Sequence, residues 1–134
     1  MKDITFNPMT QGEYNEYIEF SFAIYIEQQI IAGLSKEEAE VQAKRAETDL
    51  IPNGFKTEHN YFYNIKQKEE TVGYLWMWHN VKNECLFLPE IYIKEAFRGK
   101  GIGEKSMEFY EEKVLEKNLW NSMRKELLNL KPKN

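Results

Sequence analysis

The sequence has little of what builds disulfide-linked, membrane-spanning or nucleic-acid-binding proteins. Its single cysteine, Cys85, excludes an internal disulfide and suits a reducing compartment. No apolar run approaches the roughly 20 residues of a membrane-spanning helix, and residues 1–5 lack the apolar segment of a secretory signal. The net charge of −4 argues against broad nucleic-acid binding. These absences predict a cytoplasmic protein that binds neither nucleic acid nor membrane.

What the sequence does contain is typical of one globular domain. Of its 134 residues, 42% are hydrophobic and 30% are charged, and aromatic residues reach 14%, a high share. We find no internal repeat and no low-complexity linker. The sequence therefore predicts a single domain over residues 1–134.

Two helices are predicted in the first third of the chain, after a short β-prone stretch at residues 4–6. Apolar residues between positions 14 and 25 recur every three or four residues, as on one face of a helix, and Gly33 would end it. Ser35 begins the second helix, because Glu38 completes a capping box with it.

Three strands are predicted next, at residues 61–65, 72–78 and 86–93, and their short polar connections favour an antiparallel meander. Pro89 cannot donate a ladder hydrogen bond, so the third of these strands should be bulged or splayed there. A further helix is predicted from about Gly101 to Asn118. The predicted fold class is therefore α+β, with helices on the faces of a mostly antiparallel sheet.

A glycine-rich, basic loop joins the last predicted strand to this helix. Its glycines let a ligand approach the backbone, and the start of the helix offers free N–H groups and the positive end of its dipole to a phosphate. The loop residues are Arg98, Gly99, Lys100, Gly101, Ile102 and Gly103. They predict a phosphate-binding site, and a plain glycine-rich turn with a solvated basic edge is the alternative.

Two common phosphate motifs fail at one position of this segment. The Walker A pattern and the dinucleotide-binding pattern both need a glycine where the chain has Glu104, whose carboxylate would repel phosphate. A third pattern, Arg/Gln-x-x-Gly-x-Gly/Ala, is matched at every fixed position by Arg98, Gly101 and Gly103. With this loop and the alternating strand before it, the chain resembles the GNAT superfamily of acetyl-CoA-dependent N-acetyltransferases.

The resemblance covers roughly residues 3–118. It implies a twisted, mostly antiparallel sheet flanked by helices, and acetyl-CoA as cosubstrate without a metal. It also implies transfer of the acetyl group to a primary amine of a small molecule or a peptide. The family's backbone N–H groups bind the pyrophosphate, which implies that role for Gly99 to Gly103, with Arg98 at the start of the loop.

The resemblance also implies roles on the preceding strand. The pantetheine arm of the family's cosubstrate lies alongside this strand, so Ile91 and Ile93 are the implied main-chain contacts. Glu90, beside the expected bulge, is the candidate base that takes a proton from the ammonium. An ordinary strand-edge carboxylate is the alternative for Glu90.

Other reactive side chains are interpreted as structural. Tyr92 is expected in the core or a pocket wall, and Cys85 is interpreted as a small buried residue. His59 and His79 are predicted in loops at the surface, without the spacing of metal ligands.

The end of the sequence departs from the family pattern. Residues 119–134 contain no alternating strand and no late Leu-Tyr pair, and no tyrosine follows Tyr110, so the family's usual general acid cannot be carried over. We interpret these residues as an atypical tail that lacks the usual last strands, as in a truncated or frameshifted gene. The predicted strand at residues 86–93 would then be an open sheet edge, and a homodimer that covers it is predicted.

Two alternatives to an active N-acetyltransferase stay open. One is a catalytically inactive remnant that still binds CoA, and the other is a protein-interaction module with exposed aromatic residues. Binding of acetyl-CoA separates the first from the second, and turnover of the thioester separates the enzyme from the remnant.

Overall fold

The computed structural model describes residues 3–117. They fall into two compact units, a helical one at Met9–Glu58 and one that combines the residues up to Pro8 with those from His59 onward. The single domain over the whole chain stays a prediction. The atypical tail, the missing last strands and the truncation concern residues 119–134, which lie outside the described residues.

The helical unit contains α1 (Gln11–Ile31) and α2 (Lys36–Leu50), followed by a 3-10 turn at Gly54–Lys56. Both helices begin with a complete capping box. Ser35 and Glu38 form the predicted one, and Thr10 forms another with Glu13 that the sequence analysis did not identify. Each box satisfies N–H groups that a helix start leaves unpaired, which sets where the helix begins.

Small side chains mediate the packing within this unit. Ala39 and Ala43 on α2 are both buried, while Leu50, at the end of the same helix, is 40% exposed. Gly33, just beyond α1, has a φ of +114°, a value that side chains rarely permit, so it ends the helix as predicted.

The other unit is a four-stranded antiparallel sheet with one helix. Its strands are β1 (Ile4–Pro8), β2 (Asn60–Gln67), β3 (Glu70–Asn80) and β4 (Cys85–Ile93), in the spatial order β1-β2-β3-β4. The predicted meander and the α+β fold class are confirmed. His79 lies within β3, so its prediction as a loop residue was wrong, because β3 extends two residues past the apolar run that marked it.

The helix α3 (Ile102–Glu116) covers one face of this sheet. Its buried side chains include Ile102, Tyr110 and Val114, which join Leu75, Met77 and Leu86 of the sheet in one hydrophobic core. The hydroxyl of Tyr110 donates a hydrogen bond of 2.5 Å to the carbonyl O of Leu86. This buried bond links α3 to β4.

Gly73 allows β3 and β4 to approach each other closely beside the end of β4. A Cβ atom at Gly73 would overlap the carbonyl O of Tyr92 and would lie 3.3 Å from the Cα of Ile93. The obstacle is backbone, which cannot rotate away. We therefore expect Gly73→Ala to lower the free energy of unfolding by about 1–3 kcal/mol, the usual effect of overpacking a core.

Denaturant titration of the two proteins measures this difference. Gly12→Ala is the matched control, because a Cβ atom there would meet no atom within 4 Å, and a helical glycine-to-alanine change should leave stability equal or slightly higher. Equal unfolding midpoints for Gly73→Ala and the wild type would contradict the close approach.

His79 makes the stability of the sheet unit depend on pH. Its backbone N–H donates to the carbonyl O of His59 at 2.8 Å, and the two imidazole rings lie 5.7 Å apart. Burial lowers the pKa of His79 below its usual value, Lys117 and His59 lower it further, and Glu84 opposes them. The folded state therefore favours the neutral ring.

The sign of this effect follows from linkage. The stabilisation is present above the unfolded pKa of about 6.5 and is lost as the pH falls through the lower folded pKa. We expect the melting temperature to fall from pH 7.5 to pH 5.5 by more in the wild type than in His79→Gln. The effect should be small because His79 is only partly buried. Parallel curves for the two proteins would refute the role of His79.

Candidate active site

A bulge in β4 marks one end of the candidate site. Glu90 lies opposite Trp76 and Phe87 lies opposite Trp78, so that Leu88 and Pro89 together face Met77 alone. Two residues against one is the definition of a β-bulge, and it occurs at the proline that has no N–H for the ladder. The predicted bulge is confirmed.

The outer edge of β4 presents main-chain groups for hydrogen bonding. Lys94 N donates to Val72 O at 2.9 Å, and in an antiparallel ladder the groups that point toward the neighbouring strand alternate along the chain. The N–H and C=O groups of Ile91 and Ile93 therefore point away from β3. Among residues 3–117, β4 pairs with β3 alone, and Ile91 is 36% exposed.

Glu90 lies next to the bulge on the sheet face that is turned away from α3. Residues directly opposite in a ladder share a face, so Glu90 is on the side of Trp76, and Tyr92 is on the side of Tyr74. Glu90 is half-buried. The structure thus brings a carboxylate to the bulge, beside the outward main-chain groups of Ile91.

The glycine-rich loop connects β4 to α3 through a 3-10 turn at Glu95–Phe97. Gly99 and Gly101 have φ values of +76° and +83°, in the left-handed region that disfavours side chains. The two glycines therefore reverse the chain so that it enters α3 directly. The sequence analysis explained these glycines by the access that they give a ligand to the backbone. The structure adds that their left-handed backbone conformation also favours glycine.

Gly101 caps α3 without a side-chain hydrogen bond. The hydrogen bonds of the helix begin with Lys105 N donating to Gly101 O at 3.1 Å, so the N–H groups of residues 102–104 precede them. Such groups, together with the positive end of the helix dipole, form a site for an anion. The start of α3 therefore suits a phosphate, and Ile102 and Gly103 supply two of its N–H groups.

The three cationic side chains at the loop have different contact partners. Lys105 pairs with Glu108 at 3.6 Å, one turn along the helix. The Nζ of Lys100 lies 5.7 Å from the centre of the Phe97 ring. The Nε of Arg98 donates to the carbonyl O of Ile93 at 2.7 Å. The positive charge at the mouth of the loop thus comes mainly from Arg98 and Lys100.

The candidate residues therefore follow one path along the chain, from the bulge, along the outer edge of β4, to the start of α3. The sequence analysis did not identify the contact of Arg98 with Ile93 and Tyr92, since no periodic pattern relates these positions. Cys85 is buried, as predicted. Among the residues described, no group of three or more His, Cys, Asp or Glu side chains could hold a metal ion.

None of the helices within residues 3–117 is long and apolar enough to cross a membrane.

Comparisons with known proteins agree on one family. The family model described as "Acetyltransferase (GNAT) family" matches residues 14–127. Two Bacillus subtilis (strain 168) proteins, each named an uncharacterized N-acetyltransferase, are similar in sequence. YycN is 29% identical over 108 residues, 78% of this chain and 69% of YycN. YdgE is 30% identical over 118 residues, 84% of this chain and 74% of YdgE.

Solved structures agree with this result. The crystal structure of YycN matches with a TM-score of 0.78 at 25% identity, over 87% of this chain and 77% of that one. A GNAT family protein from Staphylococcus aureus matches in fold, with a TM-score of 0.58 at 14% identity, over 87% and 93% of the two chains. The matched family model covers the bulged strand, the glycine-rich loop and α3, and the chain therefore belongs to the GNAT family of acetyltransferases.

Proposed function

We propose that this protein is an N-acetyltransferase that transfers the acetyl group of acetyl-CoA to a primary amine of a small molecule or a peptide. The observation that carries the proposal is the start of α3 at Gly101, which has no side-chain cap and offers N–H groups and a helix dipole to a pyrophosphate. Gly99 to Gly103 would hold the pyrophosphate, with Arg98 and Lys100 adding positive charge. No metal is required for this chemistry.

The outer edge of β4, which has no neighbouring strand among residues 3–117, suits the pantetheine arm. The arm contains two amide groups, which can pair with a strand edge as another strand would. Ile91 and Ile93 each offer an outward N–H and C=O, and the Ile93 carbonyl O already accepts one hydrogen bond from Arg98. At the other end of this edge, Pro89 has no backbone N–H and so cannot donate a hydrogen bond to the arm. The predicted homodimer would need this same short edge, and it stays a prediction that light scattering with and without acetyl-CoA can test.

The reaction is direct attack of the amine on the thioester carbonyl. The ammonium first loses a proton to Glu90, directly or through a water molecule. Formation of the new N–C bond gives a tetrahedral oxyanion, which backbone N–H groups near the bulge would stabilise. The attacking nitrogen loses its second proton to water or to a base, the C–S bond breaks, and the thiolate of CoA leaves and takes up a proton from solvent or from an acid.

A second candidate is a CoA-binding remnant without turnover, and one observation favours it. Tyr110, the last tyrosine of the sequence, is 1% exposed and donates its hydroxyl proton to Leu86 within the core. It therefore cannot serve as the general acid that protonates the leaving thiolate. An enzyme of this architecture must instead release the thiolate to solvent or use a different acid.

Two measurements on the purified chain test the proposal. Calorimetric titration with acetyl-CoA should give a dissociation constant in the micromolar range, and a thiol-trapping assay should detect CoA release that depends on an added amine panel. Binding without release at every amine would favour the remnant. A well-folded protein that binds no acetyl-CoA would refute both, and would favour the protein-interaction module.

A further inference from the structure

We propose that Arg98 and Tyr92 form a clasp that positions the glycine-rich loop, so that both are positioning residues for the cosubstrate. This inference rests on the proposed function. It assigns to Arg98 a structural task besides its charge, and it gives Tyr92 a task at the site that is not acid catalysis.

Two contacts define the clasp. The Nε of Arg98 donates to the carbonyl O of Ile93 at 2.7 Å, which joins the start of the loop back to the end of β4. The guanidinium carbon of Arg98 lies 5.3 Å from the centre of the Tyr92 ring, within the range of a cation–π contact. One planar group thus meets a carbonyl and a ring on successive residues of the same strand.

The Tyr92 side of the clasp packs against the neighbouring strand β3. The Tyr92 ring stacks on Tyr74 of β3, with the ring centres 6.3 Å apart. The Nζ of Lys94 lies 5.9 Å from the centre of the Tyr74 ring. Tyr92 is therefore held by the sheet and offers Arg98 a fixed surface, so the position of the guanidinium is determined by the strand and not by the loop.

The physical need for the clasp comes from the loop itself. Gly99 and Gly101 are free to adopt many conformations in the absence of a restraint, and ordering such a segment opposes binding. Anchoring the loop at Arg98 removes part of this cost before the ligand arrives. Because the bond uses Nε, the two terminal nitrogens keep the positive charge at the mouth of the site.

The clasp also lies at the end of the β4 edge proposed for the pantetheine arm. The N–H and C=O groups of Ile91 and Ile93 point outward, and the Ile93 carbonyl O already accepts one hydrogen bond from Arg98. A carbonyl O has two lone pairs and can accept a second bond. The clasp thus joins the strand edge proposed for the arm to the loop proposed for the pyrophosphate.

Three variants separate the clasp from simple charge. Arg98→Lys keeps the positive charge but loses the planar donor group, and it should weaken acetyl-CoA binding by about 10-fold, the usual effect of a lost charged hydrogen bond. Tyr92→Leu should weaken it by about 3-fold, as expected for an exposed cation–π contact. Tyr92→Phe keeps the ring and should restore the wild-type dissociation constant.

The double variant Arg98→Lys, Tyr92→Leu tests whether the two residues act as one unit. If they do, its loss of affinity should be smaller than the product of the two single losses, because each single change already weakens the contact that the other residue makes. Losses that multiply would show that the residues act separately. If Arg98→Lys binds acetyl-CoA with wild-type affinity, Arg98 contributes to binding through its positive charge alone, and the proposed clasp is wrong.

Amide hydrogen exchange without ligand tests the clasp independently of the proposed function. Exchange at residues 98–104 should be faster in Tyr92→Leu than in the wild type and normal in Tyr92→Phe, with the core amides of α3 unchanged in all three. Unchanged loop exchange in Tyr92→Leu would overturn the clasp even if acetyl-CoA binds. A protected loop in a wild type that binds no acetyl-CoA would support the clasp as a loop restraint and refute the proposed function.

Discussion

Replacement of Gly101 by aspartate should weaken the binding of acetyl-CoA by about 100-fold or more. The new carboxylate would lie at the cap of α3, next to the N–H groups proposed to hold the pyrophosphate. Two unit charges about 4 Å apart near a protein surface repel by about 4 kcal/mol, and every 1.4 kcal/mol or so is a tenfold change in affinity. Calorimetric titration with acetyl-CoA measures the loss directly.

Asparagine at the same position separates charge from backbone strain. Gly101 has a φ of +83°, where both asparagine and aspartate are tolerated better than most side chains. The two substitutions have nearly the same size and differ in charge, so Gly101→Asn should lose much less affinity than Gly101→Asp. Equal losses would mean that the shape of the loop matters and that no anion binds there, provided that both variants melt near the wild-type temperature.

Replacement of Glu90 by glutamine should lower kcat by about 100-fold or more, within the range that a positioned general base contributes. Glutamine retains the size of the side chain but cannot accept the proton of the ammonium. The dissociation constant for acetyl-CoA should stay within a factor of about two, because the proposed cosubstrate contacts of β4 are main-chain groups of Ile91 and Ile93. Initial rates of thiol release at saturating acetyl-CoA give kcat.

Glu95→Gln is the matched control for this experiment. Glu95 is exposed in the 3-10 turn just beyond β4, so the same chemical change occurs five residues away from Glu90 without touching the bulge. Its kcat should equal that of the wild type. A Glu90→Gln variant that is as active as this control would return Glu90 to the role of a strand-edge carboxylate, and the proton would then have to leave through water alone.

Local chemistry explains what could be predicted without a structure. The capping box at Ser35 depends on residues three apart, the bulge at Pro89 on a missing donor, and the helix stop at Gly33 on backbone freedom. The alternating strand and the loop after it are contiguous in the chain, so the family could be identified from them and is confirmed by the comparisons. Each of these features is encoded within a few residues.

The features that required tertiary structure depend on residues that are distant in the chain or that no pattern relates. Gly73 is necessary because the backbone at Tyr92 lies against it, and His79 has a lowered pKa through its burial, with Lys117 and His59 contributing. The stacking of Tyr92 on Tyr74 depends on the register between β3 and β4.

The sequence by itself therefore determined the family, the fold class and the location of the glycine-rich loop, because helix caps, strand alternation and glycine spacing act over short range. The tertiary structure alone decided which main-chain groups of β4 point outward, which face Glu90 occupies and that Arg98 anchors the loop to Ile93. These properties depend on strand register and on the direction of the chain after the turn, and packing across the whole sheet sets both.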